Sequence, residues 1–184
     1  MTLQDILLLL GAGFLVANVR TAFDFLRFLK RRSSALLVWL PPKPPYYGML
    51  VAIGVLMGLL IVYNISLSPI RSGRQLFGEA MMFLYYTAAI AMNRAIARGF
   101  YADGIWAEGG FMTYRQIGAI SWREGKDVTL LLTARMRHFA RTLVVPGNLY
   151  GAARRLLRDK IEAHDIKFLH TGLDLGLGDG RDKV

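Results

Sequence analysis

Few residues in this chain could do chemistry, and their spacing does not assemble a reaction. The three histidines, His138, His164 and His170, stand at no spacing that suits a zinc or haem site. There is no Gly-x-Ser-x-Gly nucleophile turn, no His-Glu-x-x-His pair, no phosphate-cradling Gly-x-x-x-x-Gly-Lys and no Gly-x-Gly-x-x-Gly between a strand and a helix. Cysteine is absent, which excludes disulfides, thiolate metal sites and thiol nucleophiles. The acids of the tail segment LGLGDGRD do not alternate as a calcium loop requires. The expectation is a non-enzyme with no catalytic residue, no metal and no cofactor, bound lipid or pigment remaining open.

Two charged residues fall in or beside apolar segments. Glu79 could be an intramembrane functional carboxylate, but its place near the start of an apolar run favours a solvated, helix-start acid that suits the macrodipole. Arg94 closes the same run. Asn18, Asn64 and Asn93 are read as helix-to-helix hydrogen-bonding or interfacial residues. In the polar half, Arg115, Arg123, Arg135, Arg137 and Arg141 are the candidates for contact with a partner or an anionic lipid, each worth about 1 kcal/mol near a charged leaflet.

The elements that must position these residues divide the chain in two. Hydrophobic residues make up 54% of 184, more than a soluble domain of that size needs to bury, so membrane residence is the first expectation. Residues 44–70 hold no ionisable Asp, Glu, Lys, Arg or His, and 46–67 is long enough to span a bilayer, with Tyr46, Tyr47 and Tyr63 at its interfaces. A second span runs over about 76–96. A third, about 3–29, is borderline in apolar length and continues as an amphipathic helix in the headgroup region, where Arg20 and Asp24 can pair. Asp5 stands where a signal peptide would carry a base, so this segment is read as retained. Gly54 and Gly58 form a Gly-x-x-x-Gly that permits close helix packing, either within the chain or in a homo-oligomer. Residues 41–45, PPKPP, cannot be helical and set the first break.

The net charge of +10 is read as positive-inside bias, with no nucleic acid expected. Arg20, Arg27, Lys30, Arg31, Arg32 and Lys43 lie between the first two spans and only Arg71 and Arg74 between the next two, while Arg94 and Arg98 follow. That count predicts an N-terminus outside and a cytoplasmic C-terminal domain.

From residue 99 the pattern changes to short β-type runs. Gly104–Ala107 and 111–114 flank Gly109-Gly110, a hairpin signal. Strands follow near 117–123, from Val128 and over 139–145, and Asn148 is a fair N-cap for a helix to about His164. This stretch, roughly 99–167, resembles the small PH-like domain of bacterial membrane proteins of unknown function. The matching positions are Gly104 and Ile105, then Ile117, Ile120 and Trp122. The resemblance implies an α+β domain, antiparallel strands closed by one helix, behind transmembrane helices; it implies no activity, and the basic loop spacing of phosphoinositide-binding relatives is lacking here. The expected organisation is a transmembrane region over 1–98, a PH-like domain over 99–168 and a Gly/Asp-rich tail over 169–184. The expected function is a non-catalytic accessory or scaffold subunit of a larger membrane complex, a bioenergetic complex being one host, whose helices pack on other subunits while the PH-like domain docks a cytoplasmic partner; the resemblance implies a bacterial inner membrane as its setting. The alternative is a membrane-anchored sensor of anionic lipid.

Overall fold

The structure, a computed structural model, describes residues 2–67, 73–123, 128–135 and 140–166. Arg137, His138, His170 and the tail therefore lie outside the described residues. Two compact units divide the chain: Met1–Ser33 with Leu40–Ala97, and Ser34–Trp39 with Arg98–Val184.

The first unit is helical. Helix α1, Leu3–Arg31, opens on a capping box in which the Asp5 carboxylate accepts from the Thr2 backbone N–H at 2.9 Å, and it ends on Lys30 and Arg31, where cations suit the dipole. Asp24 pairs with Arg27 at 3.9 Å rather than with Arg20. Helix α2, Tyr47–Leu67, holds no charged residue. Helix α3, Gly73–Leu84, passes through a π-helical turn, Tyr85–Ala89, into α4, Ile90–Ala95. α1 and α2 are long and apolar enough to cross a membrane, and few of their residues are buried within the chain. The span expected over 76–96 is instead divided by the π turn into pieces of 12, 5 and 6 residues, each short of that length alone.

Glycines set how closely these helices approach. A Cβ on Gly78 would run into the backbone carbonyl of Leu7, and one on Gly11 would stand 2.8 Å from the Gly78 Cα, so α1 and α3 touch backbone to backbone. Gly54 lies under Thr87 and Tyr86, and Gly58 under Phe83, both in this same chain. Arg94 stacks over the Tyr47 ring at 4.5 Å, so α2 and the α3–α4 helix run antiparallel. By the same logic, Arg74 beside Asp5 at 3.9 Å and Tyr85 beside Phe14 at 5.1 Å make α1 parallel to α3.

The second unit is two antiparallel sheets and a helix. Strands β1 (Ala35–Trp39), β2 (Arg98–Tyr101), β3 (Gly104–Ala107) and β4 (Gly110–Thr113) form one sheet in that order; β5 (Ile117–Arg123), β6 (Val128–Ala134) and β7 (Ala140–Val145) form the other. Helix α5, Tyr150–Glu162, follows. Leu130 and Leu132 of β6 point inward and pack with Phe100, Ile105, Ile117, Leu143 and Val145, while Ala153 and Leu157 of α5 close the core. Polar contacts join the sheets, among them Trp39 Nε1 to Val144 O at 3.1 Å, Glu108 N to Thr142 O at 2.8 Å, Thr142 Oγ1 to Glu108 Oε2 at 2.8 Å and Arg141 Nη1 to Phe111 O at 3.0 Å.

Three details differ from the expectation. Strands β1 and β2 were not foreseen, and β1 comes from before PPKPP, so the break in the chain falls at Ser34. Gly99 makes that pairing possible: its φ is +129° and a Cβ there would strike the Leu37 carbonyl, so only glycine lets β1 approach β2. The hairpin turn is Glu108-Gly109, one residue earlier than read, with Gly109 at φ +86°. Asn148 sits inside a 3₁₀ turn and Leu149 occupies the cap of α5, with no side-chain cap bond.

Candidate functional site

Polar side chains in the helical unit gather where the helices meet. Because α3 begins at Gly73, before the apolar run, Glu79 sits two turns inside the helix and is buried at 5% exposure, not solvated at a helix start. Asn64 of α2, also buried, donates to its two carboxylate oxygens at 3.3 and 3.1 Å, and Gln75 donates at 3.4 Å. The carboxyl thus has amide donors on two helices, which is what a polar group away from water needs. Asn18 of α1 donates to Met81 O at 3.0 Å, and Thr87 Oγ1 returns to Phe83 O at 2.7 Å. Those two carbonyls precede the π turn, where the backbone ladder shifts register and side chains take up acceptors. Asn93 is exposed. Beside Tyr85, α1 lines an apolar groove of about 450 Å³ with Ile6, Leu9, Leu10, Gly13, Phe14 and Ala17. Among the described residues no group of three His, Cys, Asp or Glu could hold a metal.

Among the described residues, the sheet does not assemble the candidate arginines Arg115, Arg123, Arg135 and Arg141 into one patch. Arg141 pairs with Leu132, shares its inward face and gives its guanidinium to Phe111 O. Arg123 pairs with Thr129, on the opposite face. Arg115 lies in the 3₁₀ turn before β5, and the Arg135 backbone N–H bonds Gln116 O at 2.7 Å, so these two sit at one end of the seven-residue strand β5 with Arg123 at the other, about 20 Å away. α5 instead presents Arg154, Arg155 and Arg158, with Arg158 3.8 Å from Glu162.

One corner of the sheet unit is built around two buried tyrosines. Tyr114 donates its hydroxyl to Tyr101 O at 2.8 Å, and Lys160 of α5 lies over the Tyr114 ring at 5.2 Å while bonding Asp165 at 3.0 Å. Burial pushes the Tyr101 phenol up to about 12, Arg98 opposing; burial, then Asp165 and Asp103, push Tyr114 higher still. Both are neutral at any ordinary pH, and Tyr114 ties the turn before β5 to β2 through its hydroxyl and to α5 through Lys160.

No family model, no curated protein and no solved structure matches this chain.

Proposed function

We propose that this chain is a non-catalytic accessory subunit of a membrane protein complex, held in the bilayer by its helices and presenting a PH-like domain on the cytoplasmic side of a bacterial inner membrane. The observation that carries this reading is the character of α1 and α2. Their large apolar side chains, among them Leu9, Val16, Leu56, Leu59 and Val62, stand exposed, and water is a poor solvent for two such helices side by side. The 21 residues of α2 rise about 31 Å, the thickness of a bilayer core.

Strand pairing supports, independently of charge, the two ends of the helical hairpin lying on one side; which side that is rests on the basic residues. Trp39 pairs with Arg98, so the chain between them leaves the sheet and returns to it on one side of the membrane. One hairpin, α2 out and α3–α4 back, does that. It leaves Lys30, Arg31, Arg32, Lys43, Arg94 and the sheet unit together on the basic side, with Thr2 and Gly73 opposite. Antiparallel strands followed by one helix support the PH-like reading, with β1 supplied from ahead of the hairpin.

The lipid-sensor alternative has less behind it, because Arg123 and Arg141 face opposite ways and Arg141 is engaged. Mild detergent extraction followed by native separation tests the choice. Recovery in a larger assembly with other membrane subunits is expected; consistent recovery as a lone monomer contradicts it.

A further inference from the structure

Edge strand β1 has a second apolar face that the core does not use. Leu37 and Trp39 pack against the core, whereas Leu36 and Val38 turn away at 51% and 37% exposure, and Leu40 just beyond continues the row at 68%. Consecutive large apolar side chains on an exposed sheet edge are what soluble domains avoid, since they invite association. The residues on either side are cationic and aromatic: Arg31 and Arg32 precede the strand, and Lys43, Tyr46 and Tyr47 follow it. Bases beside exposed apolar groups match an anionic lipid surface, and interfacial tyrosines suit the same layer.

Chain length ties the strand to that layer. Only residues 32–34 separate α1 from β1, a reach of at most about 11 Å, and the last turns of α1 are themselves amphipathic, with Phe23, Leu26 and Leu29 exposed among Arg27, Lys30 and Arg31. The exposed apolar residues of β1 thus follow closely in sequence on those at the end of α1.

We propose that Leu36, Val38 and Leu40 lie in the interfacial layer of an anionic leaflet, with Arg31, Arg32 and Lys43 at the lipid headgroups, so that the sheet unit is held on the bilayer by its own edge strand. This rests on the membrane reading above and adds a lipid-contacting surface to the domain.

The cysteine-free chain suits a direct test. Single substitutions Leu36→Cys, Val38→Cys and Leu40→Cys, with Ala140→Cys and Leu59→Cys as references, are labelled with an environment-sensitive fluorophore in the full chain and reconstituted in vesicles of phosphatidylglycerol and phosphatidylcholine. Labels at 36, 38 and 40 are expected to shift to the blue and to be quenched by brominated lipid more than by aqueous iodide, with Ala140→Cys behaving oppositely. Iodide quenching at 36, 38 and 40 matching that at 140 overturns the proposal; if the Leu59→Cys label is still quenched by lipid, the membrane reading itself survives. Protection from both quenchers also overturns it, since a protein strand would then cover β1. Iodide quenching at Leu59→Cys removes the membrane reading as well.

Discussion

Trp39 and Arg98 lie opposite each other across two hydrogen-bonded strands, although all of α2, α3 and α4 separates them in the chain. The helical hairpin is therefore an insertion into a sheet, and the sheet unit is incomplete without residues from ahead of it.

A fragment starting at Arg98 should consequently fold poorly, because it lacks β1 and leaves β2 as a bare edge. Joining residues 34–39 through a short linker to residue 98 should restore a cooperative thermal transition. Trp39→Ala in that fused fragment should cost about 3 kcal/mol, since it removes both packing and the indole bond to Val144 O. Chemical denaturation followed by circular dichroism measures both effects.

The Asn64–Glu79 contact should matter through the donor. Asn64→Leu leaves a buried carboxyl short of its partner on α2 and should destabilise the helical unit by about 1–3 kcal/mol. Glu79→Gln keeps an acceptor oxygen for Asn64 and should cost less. The midpoint of dodecyl sulfate unfolding in micelles orders the two variants.

Glycine substitutions should separate by position. Gly78→Leu forces α1 from α3 and should cost at least about 3 kcal/mol, because the obstruction is the Leu7 backbone and cannot rotate away. Gly13→Ala, where nothing lies within 4 Å, should be neutral or slightly stabilising. The same unfolding assay compares them.

Alkaline pH should loosen the sheet unit. The Tyr101 and Tyr114 phenols titrate higher when folded than the ordinary value of 10.0, so the unfolded chain loses its protons first. Stability from this source is complete below pH 10 and falls as pH rises through 10 toward 12 and beyond. Tyr114→Phe should flatten that fall while losing the bond to Tyr101 O. Tyrosinate absorbance alongside unfolding curves at stepped pH reads the slope.

The sequence pattern showed the parts whose periodicity is local. Residues 46–67 carry no charge and are apolar but for Asn64 and Ser66, and 47–67 become α2, while the alternation after Val128 becomes β6 with Leu130 and Leu132 inward. β1 was not legible because ALLVW has no turn signal linking it to a strand so distant in sequence; only Gly99, with no room for a Cβ, hints that another backbone comes close. The burial of Glu79 is not legible because Gly73 and the polar Arg74 and Gln75 start the helix before its apolar run, adding a turn ahead of the acid. The arginines read as one group in sequence, but their faces depend on strand register, which sends Arg141 inward and Arg123 outward.

The sidedness of four single cysteines tests the central claim most directly: Thr2→Cys, Gly73→Cys, Ser33→Cys and Ala140→Cys, probed with a membrane-impermeant maleimide on intact and then permeabilised cells. Thr2→Cys and Gly73→Cys should label from outside, and Ser33→Cys and Ala140→Cys only after permeabilisation. Opposite sidedness of Ser33→Cys and Ala140→Cys, or equal labelling of all four on a chain that stays in solution without detergent, would contradict a membrane hairpin inserted into a one-sided sheet.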